Sequence, residues 1–279
     1  MHAVSEPLDV VPSRALRLWL APLRRVFVVT GAGCSTASGI ADYRDEAGSW
    51  KRSPPVTFQA FTGDAAVRRR YWARSYAGWP RFDTAAPNAA HAALASWQRS
   101  GQVSMLLTQN VDGLHQRAGS DDVVDLHGRL DSVRCLHCED RTPRAGMQTR
   151  LAECNPDRLD AVAAFAPDGD ADLERENFDT FVVPECSRCG GMLKPDVVFY
   201  GENVPRPRYE KAAAALAGSD GLLVVGSSLM VYSGYRFALM AHAAGLPIAL
   251  VTRGVTRADD LATLALRADC TRVLPAALG

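Results

Sequence analysis

The residues of this chain that point most directly to chemistry are two cysteine pairs, Cys135-Leu-His-Cys138 and Cys186-Ser-Arg-Cys189-Gly-Gly. Two residues between thiolates is the reach of a knuckle that offers both sulfurs to one ion, and two knuckles complete a tetrahedral zinc site. Four sulfur ligands leave no open coordination position, so one zinc on Cys135, Cys138, Cys186 and Cys189 is expected to be structural. The gap between the pairs exceeds that of an ordinary zinc ribbon, and a redox dithiol is the rival reading. Cys154 has no nearby partner and His137 lies inside a knuckle, so neither is assigned to the metal.

A second concentration of polar groups is LLTQNVDGLHQRAG, residues 106–119. It starts as an apolar strand, and then Thr108, Gln109, Asn110, Asp112 and His115 crowd its end and the following turn. Upstream, GAGCSTASGIADYRDE (31–46) follows another apolar run. Gly31 and Gly33 would let backbone N–H groups approach a phosphate at the head of a helix. The sixth position is Thr36 rather than glycine, so the dinucleotide fingerprint is incomplete and an ordinary strand-to-helix turn stands as the alternative. Ala41, Asp42, Tyr43 and Arg44 then set an acid, an aromatic and a fixed cation on one loop, either a lid over a ligand or a solvated turn. His127, in VVDLHGRLDSVRC (123–135), comes at the end of a short strand just before the first knuckle. A lone histidine is commonly a packed or surface residue; this placement makes it a candidate base.

Such groups need elements to hold them. RRVFVVTGAG (24–33) reads as a buried parallel strand entering a glycine loop. Similar runs occupy 103–110, 196–201, 221–228 and 246–252, separated by alanine-rich stretches of helical period at 88–101, 208–219 and 234–245. Strand and helix in alternation predict an α/β fold with a doubly wound, Rossmann-like parallel sheet. In that architecture ligands sit beyond the carboxyl ends of the strands, the edge where Gly33, Asn110, His127 and Ser227 would meet. Two stretches interrupt the alternation, which divides the chain into a discontinuous dinucleotide-binding domain (20–44, 84–130 and 191–279), a helical insertion (45–83) and a zinc-binding insertion (131–190). The insertions together are expected to form a smaller module beside the sheet.

With 279 residues, 47% hydrophobic and 22% charged, the chain is of ordinary globular composition. Its formal net charge of zero supplies no global field for nucleic acid or an anionic membrane. No apolar run reaches the roughly 18 residues that span a bilayer, and the N-terminus lacks the pattern of a secretory signal. The basic segment 13–25 is read as a surface helix. Seven cysteines, an odd count, together with no export signal point to a reducing compartment, so a cytoplasmic location is expected.

Taken together, GAGCSTASGIADYRDE, TQNVDGLH, LHG, the two CxxC pairs, KPDVVFYGE and GSSLMVYSG resemble the sirtuins, NAD-dependent protein-lysine deacylases, over nearly the whole chain. RYWARSYAGWP, GSSLMVYSGYRF and GVTRADDLATLALRADC look most like the class II branch typified by the mitochondrial sirtuin-four protein. The resemblance implies that Gln109, Asn110 and Asp112 line the pocket for the nicotinamide and ribose of NAD, with Asn110 and Asp112 taking part in catalysis beside His127, the general base. It implies that Gly31, Ala32, Gly33, Thr36, Asp42, Tyr43 and Arg44 contact the cofactor. Gly226, Ser227 and Ser228 would hold the adenosine side, with Thr252, Arg253, Gly254 and Cys270 nearby. Val198, Phe199 and Tyr200 would pair with the backbone of an acyl-lysine protein as an added strand. A monomer is expected, with no nucleic-acid or membrane partner.

The chain departs from the family pattern at Ala41, where a proline is usual, and at Thr252, where an asparagine commonly binds the adenosine ribose. The insertion from about 150 to 181 resembles the extra loop of the sirtuin-four branch, which can reach toward the acyl channel. Tyr71 and Arg74 reproduce a Tyr-x-x-Arg pair that grips carboxylate-ended acyl groups in relatives; three residues apart, they share a helix face. Arg68, Arg69, Arg70 and Tyr76 crowd the same stretch, so a basic solvated helix is the alternative there. Mono-ADP-ribosyl transfer or lipoamidase activity at the same site, an idle NAD sensor and a zinc-ribbon nucleic-acid binder are the competing functional readings.

Overall fold

The computed structural model describes residues 10–42, 45, 55–156 and 178–279. Tyr43, Arg44 and most of the 150–181 insertion lie outside the described residues. In chain order the strands are β1 (Val26–Thr30), β2 (Val103–Thr108), β3 (Val123–Asp125), β4 (Gly128–Cys135), β5 (Arg141–Pro143), β6 (Leu193–Val197), β7 (Gly221–Val225), β8 (Ile248–Thr252) and β9 (Leu264–Arg267). The helices are α1 (Val10–Leu20), α2 (Phe58–Gly63), α3 (Ala65–Thr84), α4 (Ala89–Arg99), α5 (Leu114–Arg117), α6 (Arg144–Cys154), α7 (Arg206–Ala217), α8 (Tyr232–Ala243) and α9 (Cys270–Leu278).

Six strands form a wholly parallel sheet in the order β3-β2-β1-β7-β8-β9. The order reverses between β1 and β7, the switch point of a doubly wound fold. All five residues of β1 and of β7 are buried, because helices cover both faces. Alternation along β1 divides the core. Phe27 and Val29 pack with Leu107, Val224 and Phe237 on one face. Val26 and Val28 pack with Leu94, Trp97 and Leu274 on the other. Short loops leave each strand at its carboxyl end, so the polar residues of 30–36, 108–112, 125–127 and 226–228 converge on one edge.

A smaller sheet has the order β5-β4-β6 and is antiparallel. The expected parallel strand over 196–201 is therefore corrected: residues 193–197 pair with β4 instead. The four sulfurs bring the chain leaving the second knuckle beside the chain entering the first, and only a few residues separate Cys189 from Leu193. A parallel placement would need a crossover of a dozen residues or more. Phe61, Trp72, Tyr76, Val133, Met147, Phe181, Leu193 and Phe199 form the core over which α2 and α3 meet this sheet. Strand β9 and helix α9 add to the elements expected from the sequence; β9 is a four-residue edge strand, half-buried on one face only. Among the described residues no helix is long and apolar enough to cross a membrane.

Candidate active site

The two amide side chains that end β2 are held in opposite directions. Gln109 donates its Nε2 protons to Ser227 Oγ at 2.7 Å and to the Thr30 carbonyl at 3.3 Å, which ties β2 to the loop after β7. That reach requires Gly234, where a Cβ would stand 2.4 Å from Gln109 Oε1. Asn110, 8% exposed, donates through Nδ2 to the Gly31 carbonyl and to Ser35 Oγ, both at 3.0 Å. Both of its amide protons are thus engaged, so Oδ1 is the atom it can offer a ligand. Ser35 passes the chain on, donating to Asp112 Oδ2 at 2.7 Å, while Asp112 Oδ1 accepts from the Leu114 amide at 2.9 Å. In the sequence Ser35 carries a single signal, a hydroxyl two residues after Gly33.

His127 sits half-buried beside this cluster. Its Nδ1 lies 2.9 Å from the Gln109 carbonyl oxygen and its Nε2 lies 2.7 Å from Ser233 Oγ. A carbonyl only accepts, so Nδ1 carries the proton and the neutral ring presents its lone pair at Nε2. Ser233, also unmarked in the sequence, donates to that lone pair from the first turn of α8. Burial lowers the pKa of His127, the Gln109 bond opposes this, and the nearby Arg208 charge lowers it further.

The glycine turn does something other than what its sequence suggested. The Gly31 and Gly33 amides donate to the carbonyls of Val225 (3.1 Å) and Gly226 (2.8 Å), so neither is free for a phosphate. Their role here is close approach: a Cβ on Gly33 would lie 2.9 Å from Gly226 O. Gly226 itself has φ of +57°, and a Cβ there would lie 2.3 Å from Cys34 N. The two loops at the switch point are seated on each other, and Gln109 bonds directly to Ser227 across them. A side chain at Gly33 or Gly226 would force these two loops apart.

Farther along the same edge, Thr252 ends β8, Arg253 and Gly254 follow it, and Cys270 opens α9 with its thiol 3.7 Å from the Gly33 carbonyl. Thr36 and Asp42 lie on the loop after β1, and Thr36 Oγ1 caps the Gly33 carbonyl at 3.1 Å. On the small module, Tyr71 packs its ring 5.1 Å from Phe199 and 5.4 Å from Phe61. Arg74 follows one turn later on α3, with its Nε buried. The amides of Val198 and Phe199 already donate, to the His127 carbonyl at 2.7 Å and to Glu202 at 2.7 Å. Glu202 also pairs at 2.9 Å with the buried Lys194 ammonium.

The four cysteines lie with their sulfurs within 4.8 Å of one another. Cys135 and Cys189 sulfurs are 3.6 Å apart and Cys138 and Cys186 sulfurs 3.8 Å apart. Zinc–sulfur bonds of about 2.3 Å in a tetrahedron demand sulfur separations of about 3.8 Å, so the set fits zinc. A Cβ on Gly191 would stand 2.8 Å from Cys135 Sγ, which explains the glycine after the second knuckle. The amides of Cys138 and His137 point at Cys135 and, against the effect of burial, hold its thiol down at about 6. Cys154 is exposed and, among the described residues, belongs to no such group. A second group, Cys34, His91 and His115, also has its ligand atoms close together. There the Asn88 amide donates to His91 Nδ1 at 3.2 Å, so the proton of neutral His91 is on Nε2, the nitrogen that faces Cys34 at 3.9 Å. That tautomer suits a hydrogen-bonded core rather than a metal.

Comparison with known proteins gives the following. Residues 31–233 match the model of the Sir2 family. A "NAD-dependent protein deacetylase" of Xanthomonas campestris pv. campestris (strain 8004) is 60% identical over 260 residues, covering 93% of this chain and 89% of that protein. "NAD-dependent protein lipoamidase sirtuin-4, mitochondrial" of Bos taurus is 47% identical over 274 residues, covering 97% and 87%. A solved complex described as "Sir2-p53 peptide-NAD+" superposes with a TM-score of 0.73 at 29% identity, covering 91% of this chain and 92% of that one.

Proposed function

The chain belongs to the Sir2 family, and we infer from that membership that the cleft beside His127 is the site of an NAD-dependent protein-lysine deacylase. Its substrates are NAD and acylated proteins. Bound NAD supplies an ADP-ribosyl acceptor for the acyl group and nicotinamide as the leaving group. The chain's own residues do the rest. Gln109 and Asn110, braced by Ser227, Gly31 and Ser35, present oriented amide dipoles and the Asp112 carboxylate stands behind them. Fixed dipoles and charge of this kind favour a reacting centre that gains positive character.

His127 takes a hydroxyl proton at Nε2. The observation that carries the reading is its tautomer: the Gln109 carbonyl fixes the proton on Nδ1 and leaves Nε2 as the accepting nitrogen, which the Ser233 hydroxyl meets at 2.7 Å and which a substrate hydroxyl would take over. The sensor alternative is disfavoured by this poised base. The test incubates the protein with NAD and acyl-lysine peptides and follows nicotinamide, deacylated peptide and labelled protein separately. Nicotinamide release with labelled protein and no deacylated peptide would favour mono-ADP-ribosyl transfer and overturn the main reading.

A pH profile adds a second check. A base works when neutral, that is, above its pKa. Because burial and Arg208 lower His127 below the ordinary value of about 6.5, kcat/KM should stay level through pH 6.5 and fall only below it. A midpoint at or above 6.5 would contradict the assignment.

For the acyl group, Tyr71 and Arg74 favour a chain that ends in a carboxylate. Comparing acetyl-, succinyl-, glutaryl-, 3-hydroxy-3-methylglutaryl- and lipoyl-lysine peptides on wild type and Arg74→Met tests this. Loss of a charge-assisted contact should lower turnover about tenfold to a hundredfold on the acidic groups alone. An equal loss on acetyl-lysine would refute the pocket. The rings of Phe61, Tyr71 and Phe199 form an apolar wall that suits a lipoyl chain as well. A lipoyl preference untouched by Arg74→Met would therefore move the assignment to lipoamidase.

On this reading residues 20–44, 84–130 and the part of 191–279 beyond the small sheet's β6 and Phe199 face the dinucleotide, while 45–83, 131–190 and the β6 segment that packs with them form the acyl-lysine side. We place the enzyme in the cytoplasm, as a monomer, where reduced thiols keep the four cysteines available to zinc.

A further inference from the structure

His127 stands between two segments of chain. Its carbonyl accepts from the Val198 amide at 2.7 Å, and its Nε2 meets Ser233 Oγ, on the first turn of α8, at 2.7 Å. An acyl-lysine that reaches this nitrogen passes between the chain after β6 and the start of α8. The residues on either side of that lysine in the substrate then lie over whatever charge the protein holds at this mouth.

The charge there is positive and unmatched. Arg236, one turn after Tyr232 on α8, lays its guanidinium over the rings of Tyr209 (4.6 Å) and Tyr232 (5.4 Å), which ties α8 to α7. Tyr232 is 56% exposed, so the stack reaches the surface beside Ser233. Arg208, the residue before Tyr209, lines a groove together with Asp125 and Gly128, which lie on either side of His127 in the chain, and its charge is felt at that ring. Among the described residues neither Arg208 nor Arg236 has a carboxylate within ion-pair distance. The charges around them are matched. Arg206 pairs with Glu210 and Lys211 with Asp122, both at 2.7 Å, and Asp125 accepts two bonds from the Gln116 amide. In a chain whose charges sum to zero, two unmatched guanidiniums on the adjoining ends of α7 and α8 are a local excess. A guanidinium whose face lies on aromatic rings keeps its N–H edge for a ligand, and that edge suits a carboxylate in a bidentate pair.

We propose that Arg236 and Arg208 read acidic residues that flank the acyl-lysine, so that preferred substrate proteins carry Asp or Glu within about four positions of the modified lysine, the reach of about 13 Å of extended chain. The inference rests on the deacylase reading above and adds what surrounds the lysine in its substrates. Two cations beside the lysine's path suit one or two carboxylates. They are too few for the row of about six to ten phosphate contacts by which nucleic acid is held.

Steady-state kinetics on one acyl-lysine peptide, with its flanking residues made aspartate, asparagine or lysine, reads the preference. Wild type, Arg236→Gln and Arg236→Glu are compared, each with a melting curve. Wild type should favour the aspartate over the asparagine peptide by about threefold to fivefold in kcat/KM, through KM. Arg236→Gln should shrink that ratio, Arg236→Glu should invert it toward the lysine peptide, and salt at about 0.5 M should erase it. Inversion with the sign of the charge is a result that a mere tie between α7 and α8 would not produce. If the Arg236 variants melt early, Arg208→Gln reads the same ratio from the other cation. Equal turnover of the three peptides by wild type, or a wild-type ratio kept by every folded variant, would overturn the proposal and leave the deacylase reading standing. A labelled oligonucleotide whose binding Arg236→Gln abolishes would assign the patch to nucleic acid instead. If wild type released no nicotinamide and turned over no peptide, the deacylase reading would fall, and this proposal with it.

Discussion

His127→Ala is expected to lower NAD-dependent deacylation by about a hundredfold to ten-thousandfold, the range a positioned general base contributes. At about 1.4 kcal/mol per decade, that is roughly 3 to 5 kcal/mol of transition-state stabilisation. The ring is held by two hydrogen bonds near the cleft and does not belong to either face of the sheet core. The variant should therefore keep its zinc content, its melting temperature and its affinity for ADP-ribose. This separation identifies a base and not a packing residue. A variant that retains most of its turnover removes His127 from the role. One that loses turnover together with its melting transition shows that the histidine is structural.

Removal of the metal should have the second largest effect, and it should act on the fold first. Zinc binding in small structural sites is worth roughly 10 to 16 kcal/mol near pH 7, and in a site that does not preexist in the unfolded chain this is folding free energy. Here the four thiolates join β4 to β6, and Cys135 and Cys186 lie inside the core shared with Trp72 and Phe199. Cys186→Ser, or a strong chelator, should lower the melting temperature and release or exclude about one zinc per chain. Deacylation should fall in parallel, because Phe199 and the segment that carries the His127 carbonyl's partner, Val198, follow β6 directly. The sign of the pH dependence follows: ligands must be deprotonated, so acid should release the metal and destabilise the protein. A zinc-free protein that is well folded and fully active would refute the structural role.

Some of this was legible in the residues because the physics was local. Strand β1 declares itself by an unbroken β-branched and aromatic run, and α4, α7 and α8 by period and flanking glycine. The span between thiolates in each knuckle is set by one turn of chain, so the ligand set could be named without knowing what else surrounds it. Strand β9 carries only four residues and α9 contains Pro275, and neither has a period long enough to stand out.

The sequence by itself determined which groups can do chemistry: four thiols spaced for one ion, amides and a carboxylate ending a strand, and a histidine at the next strand's end. Short-range spacing sets these, because a turn or a strand end has only a few geometries. The tertiary structure alone decided what each group is bonded to. It directed the Gly31 and Gly33 amides to protein carbonyls, put Ser35 between Asn110 and Asp112, and capped His127 with Ser233 from about a hundred residues away. It also turned β6 into the antiparallel sheet and paired Arg253 with Asp269. Hydrogen bonds and ion pairs form wherever packing brings donors to acceptors, and packing is a property of the whole core, which no local window of sequence contains.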